Sequence, residues 1–116
     1  MTQITMEVPE ELAERLQPMG PWLPTILELG LVGFKTRATE LAAEVIEFLS
    51  VNPSQEEICD FHASGRSQMR LRRLLSLNEA GLLGREEELE LEELQRVEHI
   101  VTLLKARIAQ QLKKGA

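Results

Sequence analysis

From Arg85 to Lys114 the chain runs 30 residues without a glycine or a proline. Nothing in that run breaks a helix, so it reads as one helix about 45 Å long at roughly 1.5 Å per residue. Leu94, Val97, Val101, Leu104 and Ile108 step by three or four positions, with Leu91 and Leu112 as flanks. They form a single apolar seam that water leaves unsatisfied. Two covers are open to it: a helix of a partner, or the chain's own segments 36–50 and 66–78. Lys113 and Lys114 suit the C-terminal end of the helix dipole.

Upstream, the breakers divide the chain. Residues Gln3 to Val8 alternate, with Ile4, Met6 and Val8 on one side and Gln3, Thr5 and Glu7 on the other, the period of a half-buried strand. Pro9 ends it and opens a helix whose first turn holds Glu10 and Glu11 and whose apolar side is Leu12, Ala13 and Leu16. The cluster from Pro18 to Pro24 is expected to be a loop. A second helix follows to Phe34 or Lys35 and a third, with Thr36 and Thr39 as candidate caps, to Ser50. Ser54 and Glu57 have the spacing of a capping box for a short helix carrying Ile58 and Phe61. Arg66 to Asn78 reads as a fifth helix, closed by Gly81 in the left-handed conformation. The expected fold is therefore mainly α: a strand–helix–helix element over residues 1–35, then a helical region over 36–116 ending in the long helix. A lone strand needs a partner for its backbone groups, and the same strand of a second copy is the simplest one, so a homodimer is expected.

Composition narrows the function. The chain has 116 residues and a net charge of −6, with 3% aromatic residues and one cysteine, Cys59. The single cysteine excludes an intramolecular disulfide framework, and so few aromatics argue against a base-stacking platform for single strands. Acidic chains are poor general binders of nucleic acid. No segment has the length and apolarity of a membrane span, and residues 1–7 lack the pattern of a targeting leader, so a cytoplasmic location is expected. The charge is −5 over residues 1–51, zero over 52–84 and −1 over 85–116.

No constellation for catalysis emerges, so no enzyme activity and no cofactor are expected. Cys59 and His62 form half a metal site at most, and His99 stands alone. Glu98 and His99, adjacent on a helix, point in different directions. The acidic run Glu86 to Glu93 reads as a solvated face that suits a helix start. Arg66, Arg70 and Arg73 share a helix face; they would hold an acidic partner or phosphate, or pair with Glu86–Glu93 across the turn at Gly81–Gly84. Together with Leu94, Val97, Val101, Leu104 and Ile108 they are the candidate partner-binding residues.

Ile4 to Leu16 (ITMEVPEELAERL) and Leu23 to Leu31 (LPTILELGL) resemble the ribbon–helix–helix family of DNA-binding antitoxins and repressors. The resemblance implies a dimer whose paired strands enter the major groove. Its DNA-facing positions would be Gln3, Thr5 and Glu7, with Thr25 in the phosphate-contacting turn of the second helix. The ribbon here carries no basic residue, which shifts the expected main contact from DNA to protein. The whole chain also resembles a group of small cyanobacterial proteins read as antitoxins or partners of nuclease-like toxins. That likeness is carried by Leu74–Leu82, Glu86–Glu88, Val97–Val101 and Leu104–Arg107, with Gly84 a departure where a Thr cap is more usual. The expected function is an antitoxin-like regulator that dimerises, binds a protein partner such as a nuclease toxin and contacts operator DNA weakly. The alternative is a helical adaptor or assembly factor without DNA contact.

Overall fold

Proline and glycine set most of the element ends. The computed structural model describes residues 2–115; Met1 and Ala116, the outer ends of the two expected units, lie outside them. Pro9 precedes α1 (Glu10–Leu16). A 3₁₀ run, Gln17–Trp22, leads directly into α2 (Leu23–Leu31). Gly33, at φ +68°, turns the chain away. Then come α3 (Thr39–Ser50), α4 (Gln55–Cys59), α5 (Gly65–Glu79) and α6 (Arg85–Lys114). The capping box at Ser54 and Glu57 forms as expected, and Gly81 takes its left-handed position at φ +70°. At Gly84 only half of such a box exists: Glu87 Oε1 accepts from the Gly84 amide at 3.0 Å, and glycine has no side chain to return the bond.

The expected strand over Gln3 to Val8 does not form. No strand occurs among the described residues, and residues 2–9 take no regular structure. Ile4 is 83% exposed and Met6 61%. Alternation gives a segment two faces but no hydrogen-bond partner, and every element among the described residues is a helix, which offers a strand no free ladder edge. The mainly helical class stands; the ribbon–helix–helix arrangement does not.

The loop expected over Pro18 to Pro24 is more ordered than its composition implies. Trp22 is buried, and its indole Nε1 donates to the Pro53 carbonyl at 2.9 Å, tying this segment to the α3–α4 turn. Gly20 sits at φ +61°, and a Cβ there would lie 2.8 Å from Asn52 Oδ1. The left-handed backbone angle strains any side chain at position 20, and the Asn52 side chain would have to move aside to admit one.

α6 is the axis of the fold and meets α2, α3, α4 and α5. Leu91, Leu94, Val97, Ile100, Leu104 and Ile108 line its inner side. They bury against Leu29 of α2, Leu41, Val45 and Leu49 of α3, Ile58 of α4 and Leu74 of α5. Trp22 and Leu29 belong to that same cluster, so the core does not stop at residue 35. The longest dimension, 47 Å, matches the length of α6, and the radius of gyration of 16.2 Å exceeds the roughly 13 Å of a compact chain this size. α1 contributes to that spread: it meets mainly the 3₁₀ run and buries no residue.

Leu74 is fully buried, whereas the arm before Pro9 buries almost nothing. Leu74→Ala is expected to lower unfolding free energy by about 2–5 kcal/mol. Removing residues 1–8 is expected to leave the urea midpoint unchanged. Denaturant titration followed by far-UV circular dichroism measures both.

Candidate functional site

The acidic start of α6 is only partly a solvated face. Glu86, Glu88 and Glu92 are exposed, but Glu90 and Glu93 are buried. Spaced by three, they lie side by side on the helix and serve two different elements. Glu93 accepts from the Lys35 amide at 2.9 Å, the Thr36 amide at 3.0 Å and the Thr36 hydroxyl at 2.6 Å. The Thr36 hydroxyl in turn accepts from the Ala38 amide at 3.1 Å. This closes the turn between α2 and α3 onto α6. Thr36 thus acts through its own turn, while the residue at the α3 N-cap, Ala38, supplies no side-chain bond.

Glu90 binds Arg70 of α5 in a two-pronged ion pair, Nε to Oε2 at 2.7 Å and Nη2 to Oε1 at 2.8 Å. Hydrogen bonds from Arg70, reinforced by the charges of Arg70 and Arg37, outweigh burial and hold the Glu90 carboxyl below its ordinary value. At Glu93, burial pushes the carboxyl up, but the Thr36 hydroxyl, the two amides and Lys35 together bring it down. A third carboxylate, Glu44 of α3, accepts from the Ser64 amide at 2.9 Å and from the hydroxyls of Ser64 and Ser67. It caps α5 from outside, and those bonds lower its pKa against the opposing effect of burial.

The candidate partner-binding residues separate. Leu94, Val97, Leu104 and Ile108 are buried within the chain and Val101 is half-buried. The cover is the intrachain one, so this seam presents no free face. Arg70 is occupied by Glu90, the match across the turn that its spacing allowed. Arg66 and Arg73 remain exposed. Among the described residues Arg70–Glu90 is the single ion pair.

The positions implied as DNA-facing fare differently again. Gln3, Thr5 and Glu7 are exposed on the unstructured arm and share no ribbon face. Thr25 is buried, and the start of α2 is not free: the 3₁₀ run continues into it, and the Leu23 amide donates to the Gly20 carbonyl. Cys59 is half-buried, and His62 and His99 are exposed. No three His, Cys, Asp or Glu residues among those described gather in a metal-holding group. No helix among them is long and apolar enough to cross a membrane.

Large apolar side chains stay open at several places along the chain, Val51, Met69 and Leu82 among them, and five fall in its first third: Ile4 and Met6 of the arm, Leu12 of α1, and Leu27 and Leu31 of α2, the last 85% exposed. Leu27 and Leu31 stand four apart on one helix face, a spacing legible in the sequence. Two clefts are open as well: one of about 420 Å³ between α5, α6 and the segment 61–63, with an apolar floor and a polar rim, and one of about 560 Å³ between α2 and α6, lined by Leu31, Val32, Arg96 and His99 among others.

Comparison with known protein families, curated proteins and solved structures finds no match. What defines the chain is its own architecture, a helical fold wrapped on one long helix and fastened by buried carboxylates.

The lowered carboxyl groups fix the sign of the acid response. Glu44, Glu90 and Glu93 titrate lower folded than unfolded, so their stabilisation is complete above the unfolded value, about 4.3, and is lost as pH falls through the folded values. Urea midpoints are expected to stay level from neutral pH to about pH 5 and fall below about pH 4.3. Glu93→Gln is expected to cost about 1–3 kcal/mol at neutral pH and to give a shallower acid decline.

Proposed function

We propose that this protein is a helical partner-binding regulator or adaptor, and that its docking surface is the N-terminal arm together with α1 and α2. The observation that carries the reading is α1. A seven-residue helix that buries no residue gains little from its own fold, since isolated helices this short are marginal in water. Its Leu12 leaves an apolar side chain in solvent, as do Ile4 and Met6 of the arm and Leu27 and Leu31 of α2, and exposed apolar side chains gathered in one stretch of the chain are the material of an interaction surface.

Charge selects the kind of partner. Glu7, Glu10, Glu11, Glu14 and Glu28 are exposed on the same segment, against Arg15 alone. Two such faces brought together would set acid against acid, so a second copy is disfavoured. A basic protein surface with an apolar centre is favoured. The antitoxin-like form of this proposal is the case in which that basic surface belongs to a nuclease toxin, whose own phosphate-binding cations the acidic segment would cover. The DNA contact expected of a paired ribbon has no place in the proposal, because the ribbon is absent.

Co-expression with the product of the adjacent reading frame, followed by sedimentation, tests it. A complex is expected that weakens as salt rises. Leu27→Asp combined with Leu31→Asp is expected to weaken it about tenfold or more, about 1.4 kcal/mol, with no change in melting temperature. Failure of the partner to bind, or a complex indifferent to that double substitution, counts against the docking surface. A wild-type dimer dissolved by the same substitution would assign the face to a second copy instead.

A further inference from the structure

We propose that the cleft between α5 and α6 is a binding site for a small amphipathic anion, an aliphatic chain ending in a carboxylate or similar head. The cleft is separate from the docking surface and independent of it. Its volume, about 420 Å³, falls within the range of small-ligand pockets, about 300–1,000 Å³. The accessible floor is aliphatic, made by Leu71, Leu75 and Val101, with the inaccessible Val45 and Val97 packed beneath it.

The rim decides the sign of the ligand. Arg72 and Lys105 bring two fixed cations to the cleft and Glu98 one carboxylate, in a chain whose net charge is −6. Arg72 makes no ion pair or hydrogen bond among the described residues and is exposed on α5. Lys105 is held in place, its Nζ donating to the Phe61 carbonyl at 2.6 Å, which leaves further ammonium protons for a ligand. The Gln68 side-chain amide donates to the Ala63 carbonyl at 2.8 Å and fixes the other end of the segment that walls the cleft. A ligand would lay its chain on Leu71, Leu75 and Val101 and direct its head to Arg72 and Lys105. Burial of that chain supplies the affinity and the cations supply orientation.

The probe is decanoate, added below its micellar range to the full-length isotopically labelled protein, with amide chemical shifts as readout. Saturable shifts confined to residues around 61–75 and 97–105 are expected. Arg72→Glu and Lys105→Gln are each expected to weaken binding about tenfold, with an unchanged far-UV circular dichroism spectrum showing that each variant keeps the fold. Leu75→Asp, at a partly exposed position, is expected to do the same through the floor. Decyltrimethylammonium, with the same chain and opposite charge, is expected not to bind there. Shifts that fail to saturate, shifts centred on Leu27 and Leu31, equal binding of the cation, or indifference to Arg72→Glu would each overturn the site.

Discussion

Glu93 ties the short turn between α2 and α3 to α6 through the side-chain bonds that span the most sequence among the described residues. A carboxylate that is 8% exposed is costly unless its oxygens are bonded, and here they accept from two backbone amides and a hydroxyl across 57 and 58 residues of sequence. The bonds set where α2 ends and α3 begins relative to α6. Three residues earlier on the same helix, Glu90 fastens α5 from the other side through Arg70. The apolar cluster fills the space between elements that these two side chains position. Dispersion and hydrophobic burial supply most of the energy, but they are non-directional, and the carboxylates give the packing its register.

The same device recurs at smaller scale. Glu44 caps α5 from α3, Glu57 closes the box on α4, and Glu87 reaches back to the Gly84 amide before α6. Much of the chain's excess acidity thus has a structural use. Helix starts present unpaired amide donors, and an ionised carboxylate is the strongest acceptor a side chain offers them.

What is left after these fastenings is unequal. α2 to α6 share one core, while the arm and α1 stand largely outside it with aliphatic side chains in water. The core holds Leu29, Leu49, Ile58, Leu74, Val97 and Ile108 nearly inaccessible, while Leu31 of α2 is 85% exposed and Leu27, one turn before it, 47%. The acidic residues around them give that surface both solubility and a preference for a basic counterpart.

The sequence by itself determined the local events. Pro9, the Ser54–Glu57 box, Gly81 and the unbroken run from Arg85 to Lys114 mark element ends through backbone sterics and near-neighbour bonds that need no tertiary partner, whereas the end of α2 at Leu31, before Gly33, falls short of the Phe34 or Lys35 expected. It also marked the seam of α6 and the shared face of Arg66, Arg70 and Arg73. Only the tertiary structure decided what those faces meet: Leu94 to Ile108 are covered by the chain's own helices, and Arg70 is taken by Glu90. The arm is the converse case, for alternation over Gln3 to Val8 describes a strand's faces and says nothing of the neighbour its backbone requires. Glu93 was the least legible residue, one carboxylate in an acidic run. Its only trace in the sequence is its place beside Leu94 on the buried edge of the helix. Periodicity reports which way a side chain points, whereas its partner depends on distances that exist only once the chain has closed on itself.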